Sequence, residues 1–481
     1  MLRDRKTWLI LFAMMLTFIS LIIVGHTFVT LPPAEVDEGE VVSGKRDVRQ
    51  VLNFAYLSSG TGSEMKQVVD RYNEIQSEVR VEMLSISPGR YSEMLNMLMA
   101  SGKGPDLLTI HHEWITTYMN KNWLLDLTPY VDKEFLNNYP KFAQEYGRSN
   151  GNYYTFPTRS VTTRLLYNKT MFRQAGLDPN KPPMTLEELV KSADLIARSQ
   201  VGTQKRGFAL AGGEDWKGFV QSMETANTLS GSYLFDFSNG TYDLTIYKPW
   251  LHSMMSMVKQ ESLFPGETSL KYDTALTQFT EGNIAMMIVN SGDLSVLQRG
   301  QPLSFEWGAS MPPAVDADHA GRGALMMHPE PSIAINSSTE HTNEAINFWR
   351  YLHEERQLGE MFQMSCIPSI VKGINDNPLY KPALPDCEAF MPGTLDSFYP
   401  RDPVWQDDYG TVRPYDDPNA GWTPRMQVYR DILSGKADMN VALKNESDRL
   451  NNQLQRAVSD YRLDPASYLN PNFNPRLPLN R

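Results

Sequence analysis

Between Val51 and Ile110 the residue pattern changes period four times, and few folds accommodate that. Val51–Leu57 is a short apolar run that reads as a strand. Met65, Val68, Val69, Tyr72 and Ile75 then recur at helical spacing, with Ser63 placed to cap that helix. Val79–Ile86 reads as a second strand. Tyr91, Met94, Leu95 and Leu98 mark a second amphipathic helix that ends at Gly102, and Leu107–Ile110 is a third strand behind Gly104-Pro105-Asp106. Strands alternating with helices at this spacing build a parallel sheet with right-handed crossovers. Ligands of such sheets sit beyond the carboxyl ends of the strands, which places Ser58–Thr61 and His111–Trp114 at a cleft by topology alone.

A chain of 481 residues is too long for one core and suits two lobes. Its net charge of −11 disfavours nucleic acid and anionic membrane surfaces, because both require a basic footprint. Cys366 and Cys387 belong to no CxxC pair, so a zinc ribbon or thioredoxin motif is excluded. Outside the cytosol they either pair, closing a loop of about 20 residues worth roughly 3 kcal/mol, or stay two unrelated buried thiols.

The N-terminus bears on the compartment. Arg3, Arg5 and Lys6 precede an uncharged run from Thr7 to Gly25, close to the roughly 20 residues a membrane-spanning helix needs. His26, Phe28 and Val29 crowd the end of that run and leave no small-x-small cleavage site, and no cysteine follows for a lipid anchor. Residues 1–30 are therefore expected to be an uncleaved signal-anchor, basic end in the cytoplasm, with a cleaved signal as the alternative. Residues 31–48 lack periodicity and read as a tether.

The stretch from Gly151 to Leu177 carries the most information about lineage. Tyr153–Pro157 is short, aromatic and stopped by proline. Val161–Tyr167 reads as a buried strand closed by Asn168-Lys169, and Thr170–Ala175 turns once or twice before Gly176. Gly151, Tyr153, Pro157, Tyr167-Asn168-Lys169, Phe172 and Ala175-Gly176-Leu177 resemble the first hinge of the sugar-binding proteins of ABC importers, the solute-binding family that includes maltodextrin-binding proteins. The order of later pieces resembles the same family. Asn122–Tyr130 matches a lobe-one surface run. Thr185 and Glu188 form a capping box, Ala275–Met286 resembles a family motif, and Gly321–Pro331 resembles the second hinge. Glu344, Ala345, Phe348, Trp349 and Leu352 match the helix after that hinge, and a third crossing is expected near 370–395.

The resemblance implies an α/β, two-lobe periplasmic-binding-protein-like fold of class II. Each lobe would be a mostly parallel sheet flanked by helices, with the ligand cleft between lobes. The expected lobes are 49–157 with 329–375, and 158–328 with 376–461, followed by an extended tail at 462–481.

Enzyme signatures are lacking. His111-His112-Glu113 fails the metalloprotease spacing, because Thr116 stands four residues after His112. No GxSxG elbow, Walker loop or GxGxxG turn occurs. Among 56 acidic residues, any glycosidase pair is arbitrary. A sugar cleft instead needs an aromatic plate edged by planar polar groups. The strand-end loops offer Glu113, Trp114, Arg159, Trp216, Asn290, Asp293, His328 and Trp422 as ligand-binding residues. Each has a plainer reading. Trp114 and Trp422 serve equally as lobe packing, Glu113 as a first-turn carboxylate, and Asp293 as a helix cap. His328 serves as a structural imidazole, and Arg159 as the partner of an acid across the hinge.

The expectation is thus a monomeric, membrane-tethered binding protein that closes on a carbohydrate and hands it to ABC permease subunits, without metal, cofactor or catalysis. A ligand sensor for a membrane receptor and an extracellular polysaccharide-acting enzyme are the rivals.

Overall fold

Successive residues of a strand face opposite sides of its sheet, so a strand covered by helices on both sides is a near-continuous apolar run. The computed structural model, which describes residues 49–57, 62–84, 86, 90–297, 303–382, 386–400, 403, 422–461 and 464–479, carries two sheets built on that rule. The first begins with β1 (Gln50–Ala55), α1 (Ser63–Ile75), β2 (Val79–Leu84), α2 (Tyr91–Ala100), β3 (Leu107–Ile110) and α3 (His112–Asn120). β1 lies between β2 and β3 and runs parallel to both, with Leu52 beside Val81 and Phe54 beside Leu107. Leu52, Phe54, Val81 and Leu107 enter one core layer with Met65, Val68 and Tyr72 of α1. Ala55, Leu108 and Ile110 enter the opposite layer with Leu95 of α2 and Tyr118 of α3. Ser63 starts α1 but does not cap it. Gly62 holds the cap position at φ 71°, a left-handed backbone that glycine adopts without strain.

Past the short crossover strand β4 (Ser160–Val161), a second sheet forms around β5 (Thr163–Asn168). It is followed by α4 (Lys169–Gln174), α5 (Leu186–Ser199), α6 (Gln221–Leu229), α7 (Lys248–Lys259), α8 (Tyr272–Thr280), β6 (Met286–Asn290) and β7 (Trp307–Ser310). β5 is central and antiparallel to both neighbours, with Ile288 and Ser310 opposite Leu165. Among the described residues, parallel pairing in this half is limited to the bridges Thr185–Ala314, Arg206–Ile284 and Phe208–Leu263 and to the short pair of Leu325–Met326 with Asp396–Ser397. The run after Arg206 fills a strand position without a continuous ladder. Its backbone bonds alternately to Asn283, Ala285 and Met286 on one side and to Ser262 and Phe264 on the other. Leu165, Tyr167, Met286 and Ile288 face a layer with Trp250 and Met254 of α7, while Leu166, Met287 and Val289 face one with Leu276 and Phe279 of α8. The Thr185 hydroxyl caps α5 by accepting from the Glu188 N–H at 3.2 Å, and the return bond goes from the Met184 N–H to the Glu188 carboxylate at 2.7 Å.

The chain returns through β8 (His328–Pro329) to β9 (Ser332–Ile335), α9 (Thr342–Leu352) and α10 (Glu355–Ser365). β9 joins the first sheet antiparallel to β3, with Ser332 beside Ile110. Two last helices, α11 (Trp422–Leu433) and α12 (Met439–Tyr461), complete the second core with Met426, Tyr429 and Leu443. The tail beyond them is anchored rather than merely extended. Phe473 lies 4.7 Å from Phe237, and the Ala324 N–H donates to the Pro475 carbonyl at 2.8 Å. Its aromatic residues supply the apolar area that holds it.

Three segments that pass between the cores meet as one ribbon. β4 pairs with β8, Val161 beside His328, and Glu330 N–H donates to the Arg159 carbonyl at 2.9 Å. On the other edge Ser160 N–H donates to Pro368 at 2.9 Å and Ile370 N–H to Thr158 at 2.8 Å. Cys366 and Cys387 are joined as a disulfide, linking the end of α10 to a turn whose Phe390 packs in the second core. Among the described residues no helix is long and apolar enough to cross a membrane. The expected signal-anchor at 1–30, the tether at 31–48 and the loop Ser58–Thr61 lie outside the described residues.

Two stability predictions follow from this packing. Arg159, only 4% exposed, is bonded to two carboxylates of similar burial, so Arg159→Met should cost about 3–5 kcal/mol in urea unfolding. Arg173→Met, which breaks a surface pair with Glu306, should leave the curve nearly unmoved. The second concerns pH. Burial holds the His353 imidazole down to about 4, while its ring bonds to the Trp349 carbonyl at 2.7 Å. The unfolded chain takes up this proton first as pH falls, so stability is full above about 6.5 and is lost between about 6.5 and 4. His353→Asn should lower the melting temperature at pH 7 yet flatten its decline from pH 7 to 4.5.

Candidate functional site

The loop after Gly212-Gly213 is shaped by close backbone approach. A Cβ on Gly212 would run into the carbonyl of Glu267, and one on Gly213 into that of Ser269. The loop leads into a π-helical turn, Asp215–Val220, that sets Trp216 at the margin of the second core while Phe219 and Val220 enter it. Arg430 of α11 braces it, donating to the Gly212 carbonyl at 2.8 Å and pairing with Asp215 at 2.5 Å. Trp216 remains half-buried, and its ring meets His328 edge to face at 5.2 Å. His328 belongs to the crossover ribbon, so the ribbon and the Trp216 turn share one wall.

Beside this pair lies a saturated carboxylate. Asp293 accepts from Lys217 Nζ at 2.8 Å, from the Tyr272 hydroxyl at 2.5 Å and from the Asn290 N–H at 2.9 Å. The Lys217 ammonium also sits 4.2 Å from the centre of the Tyr272 ring. Burial, and after it the Asp293 charge, pushes the Tyr272 hydroxyl well above its ordinary pKa, which keeps it a donor. The cap of the following turn is Asn290 rather than Asp293. The Asn290 side chain accepts from the Gly292 N–H at 2.9 Å, and Asp293 closes the capping box from its third position.

Arg159 sits at the junction of the ribbon with the first core. It pairs with Glu64 at 3.2 Å and Glu330 at 2.5 Å and donates to the Tyr56 hydroxyl at 2.7 Å. Burial opposes its charge, but Glu330, Tyr56 and Glu64 outweigh that and hold its pKa above the ordinary arginine value. A second buried arginine, Arg164 of β5, bonds Asp396 through both amino groups at 2.9 and 3.0 Å and the carbonyls of Ala389 and Met391 at 2.8 Å.

Arg159, Trp216, Asn290, Asp293 and His328 thus gather at the ribbon and the adjoining edge of the second sheet. Trp114 lies on the first half, half-buried in α3, with its ring 5.0 Å from His111 and 6.3 Å from Tyr118. Glu113 falls in the first turn of α3 and Trp422 opens α11, but both side chains lie outside the described residues. Sequence reading missed the partners. Arg164 interrupts an apolar run, which is itself a signal that an acid must meet it. Lys217 follows Trp216 directly. Nothing local marks Tyr56, Glu64 or Tyr272, whose roles arise from contacts distant in sequence. Gln221 was missed as well. It is fully buried at the start of α6, and both of its amide atoms lack a partner.

Comparison with known proteins places this arrangement. The sequence profile of the bacterial extracellular solute-binding proteins matches residues 58–357. The multiple sugar-binding protein of Streptococcus mutans is 24% identical over 387 residues, which cover 76% of this chain and 86% of that protein. An sn-glycerol-3-phosphate-binding periplasmic protein of Yersinia pestis is 25% identical over 294 residues, 58% of this chain and 64% of its own length. Among solved structures, the GacH receptor of Streptomyces glaucescens, described unliganded and with acarbose, superposes with a TM-score of 0.70 at 16% identity, covering 85% of this chain and 99% of that one. Maltose-bound MalE3 of T. maritima does so with a TM-score of 0.68 at 19% identity, covering 83% and 99%. With that profile spanning well over half of its length, the chain belongs to the family of bacterial extracellular solute-binding proteins.

Proposed function

We propose that this chain is the extracytoplasmic substrate-binding component of an ABC importer, and that its two halves close on a carbohydrate. The first half is 49–157 with 329–375. The second is 158–328 with 376–461, and the tail from 462 is strapped to it. The observation that carries the choice of ligand is the charge around Trp216. Arg159, Arg164 and Lys217 are each held against a carboxylate, so these cations are already committed within the protein. A phosphate or carboxylate ligand would find none of these three unpaired. A neutral saccharide needs instead a half-exposed indole for its apolar face and fixed polar groups for its hydroxyls. The sugar-binding relative and the oligosaccharide-bound neighbours support this choice, and it disfavours a glycerol phosphate.

In this reading Trp216, His328 and Asn290 touch the sugar from the second half, and Glu113 and Trp114 from the first, with Trp422 near the edge. Arg159 and Asp293, saturated by protein partners, position the site. Closure brings both halves onto the ligand, which shifts the open–closed equilibrium by its preference for the closed form. The carboxylates near the ribbon are held by arginine, lysine or tyrosine, a pattern that favours binding over proton transfer. The basic and apolar segment from Arg3 to Gly25 anchors a monomer to the membrane beside its permease subunits.

The test is a thermal-shift and small-angle scattering screen of the purified chain with maltotriose, xylotriose, raffinose and sn-glycerol-3-phosphate. A saccharide at 100 times its Kd should stabilise the protein by about 2.7 kcal/mol and reduce its radius of gyration. Trp216→Ala should weaken that saccharide at least tenfold. Chromatography of the incubated sugars should show no new product. Stabilisation by glycerol phosphate alone, or cleavage of a sugar, would overturn the reading.

A further inference from the structure

The end of the second sheet holds two polar groups that the protein leaves unsatisfied. Asn290 and Thr163 are both fully buried, and neither the Asn290 Nδ2 amide nor the Thr163 hydroxyl has a hydrogen-bond partner. They stand directly opposite each other on β6 and β5. Opposite residues of an antiparallel pair share a face, with Cβ atoms about 4.5–5.5 Å apart. That face also carries Leu165 and Ile288 into the core layer against which Trp216 packs. The Asn290 amide is not free to turn. Its oxygen is committed to the Gly292 N–H at 2.9 Å, so the end left unpaired is the donor.

We propose that Asn290 and Thr163 together grip one ligand hydroxyl on the Trp216 side of the site. This assignment rests on the carbohydrate reading and refines it to a specificity-determining pair. The Asn290 amide donates to the hydroxyl oxygen, and the Thr163 oxygen accepts the hydroxyl proton, so a neutral alcohol satisfies both and a bare anion satisfies only one. The ligand reaches them when the halves open at the ribbon, since neither group meets solvent as the structure stands. A sugar lacking that hydroxyl leaves both groups buried and unpaired, the arrangement that gives the sharpest rejection of deoxy analogues.

Two small substitutions test the pair in the full chain. Thr163→Val removes the hydroxyl and keeps the shape. Asn290→Ser keeps a cap acceptor for Gly292 and removes the amide donors. Without ligand, Thr163→Val should melt at or above the parent temperature, because an unpaired buried hydroxyl is lost. By calorimetry each variant should bind the saccharide chosen by the parent from maltotriose, xylotriose and raffinose at least tenfold more weakly. The corresponding monodeoxy sugar should bind parent and Thr163→Val alike. A fall in the ligand-free melting temperature of Thr163→Val would show a protein partner for its hydroxyl and overturn the assignment. Unchanged saccharide affinity in both variants would overturn it while leaving the carbohydrate reading intact. A parent that binds none of the three sugars defeats that reading, and the pair with it.

Discussion

A buried guanidinium at the meeting point of the crossovers is the constraint on which the rest of this molecule depends. Arg159 is desolvated, and an unpaired cation there would be prohibitive. Its fork is met by Glu64 from the first turn of α1, by Glu330 at the end of the return crossover, and by the hydroxyl of Tyr56 just beyond β1. Three sequence-distant pieces of chain therefore have to arrive together before the charge is compensated. The backbone around it is bonded on both sides, to Glu330 on one edge and to Pro368 and Ile370 on the other. The crossovers consequently behave as one narrow ribbon. The disulfide from Cys366 to Cys387 adds a covalent tie beside it, joining the end of a helix packed on the first core to a turn packed on the second.

The ribbon in turn positions the site. His328 is part of it, and Trp216 leans on His328. Trp216 is presented by a π-helical turn, a conformation that needs outside support. That support comes from glycines packed under neighbouring carbonyls and from Arg430 reaching across from α11. Arg164 performs the matching task further along β5, holding the segment that carries Asp396 and, before it, Cys387. The recurring device is a buried arginine that ties a strand of one sheet to an irregular segment from elsewhere in the chain.

What could be read from sequence follows from which contacts are local. β3 and β9 coincide with short, mostly apolar runs, because burial on both faces keeps such runs apolar apart from the buried hydroxyls of Thr109 and Ser332. The cap on α5 was within reach because it is a three-residue relation, whereas after β6 the sequence pointed to Asp293 and the cap is Asn290. The antiparallel order of the second sheet was not within reach, since periodicity reports burial and says nothing about which strand lies alongside. The aromatic loop at Trp216 announced itself through its glycines. The role of Arg159 stayed open between ligand and acid partner, because Glu64 lies 95 residues before it in the chain and no local pattern joins them.

Unsatisfied groups at the edge of the second sheet give the closed form a thermodynamic meaning. A buried donor or acceptor without a partner costs about 1–3 kcal/mol relative to the same group in water. Asn290 and Thr163 both belong to the second half, so a guest held by them gains affinity for the closed form through its contacts with the first half. That difference, not the total affinity, is what moves the equilibrium. On the proposal made above, a site whose cations are already neutralised and whose remaining groups are a neutral amide and a hydroxyl would select for hydroxylated, uncharged ligands.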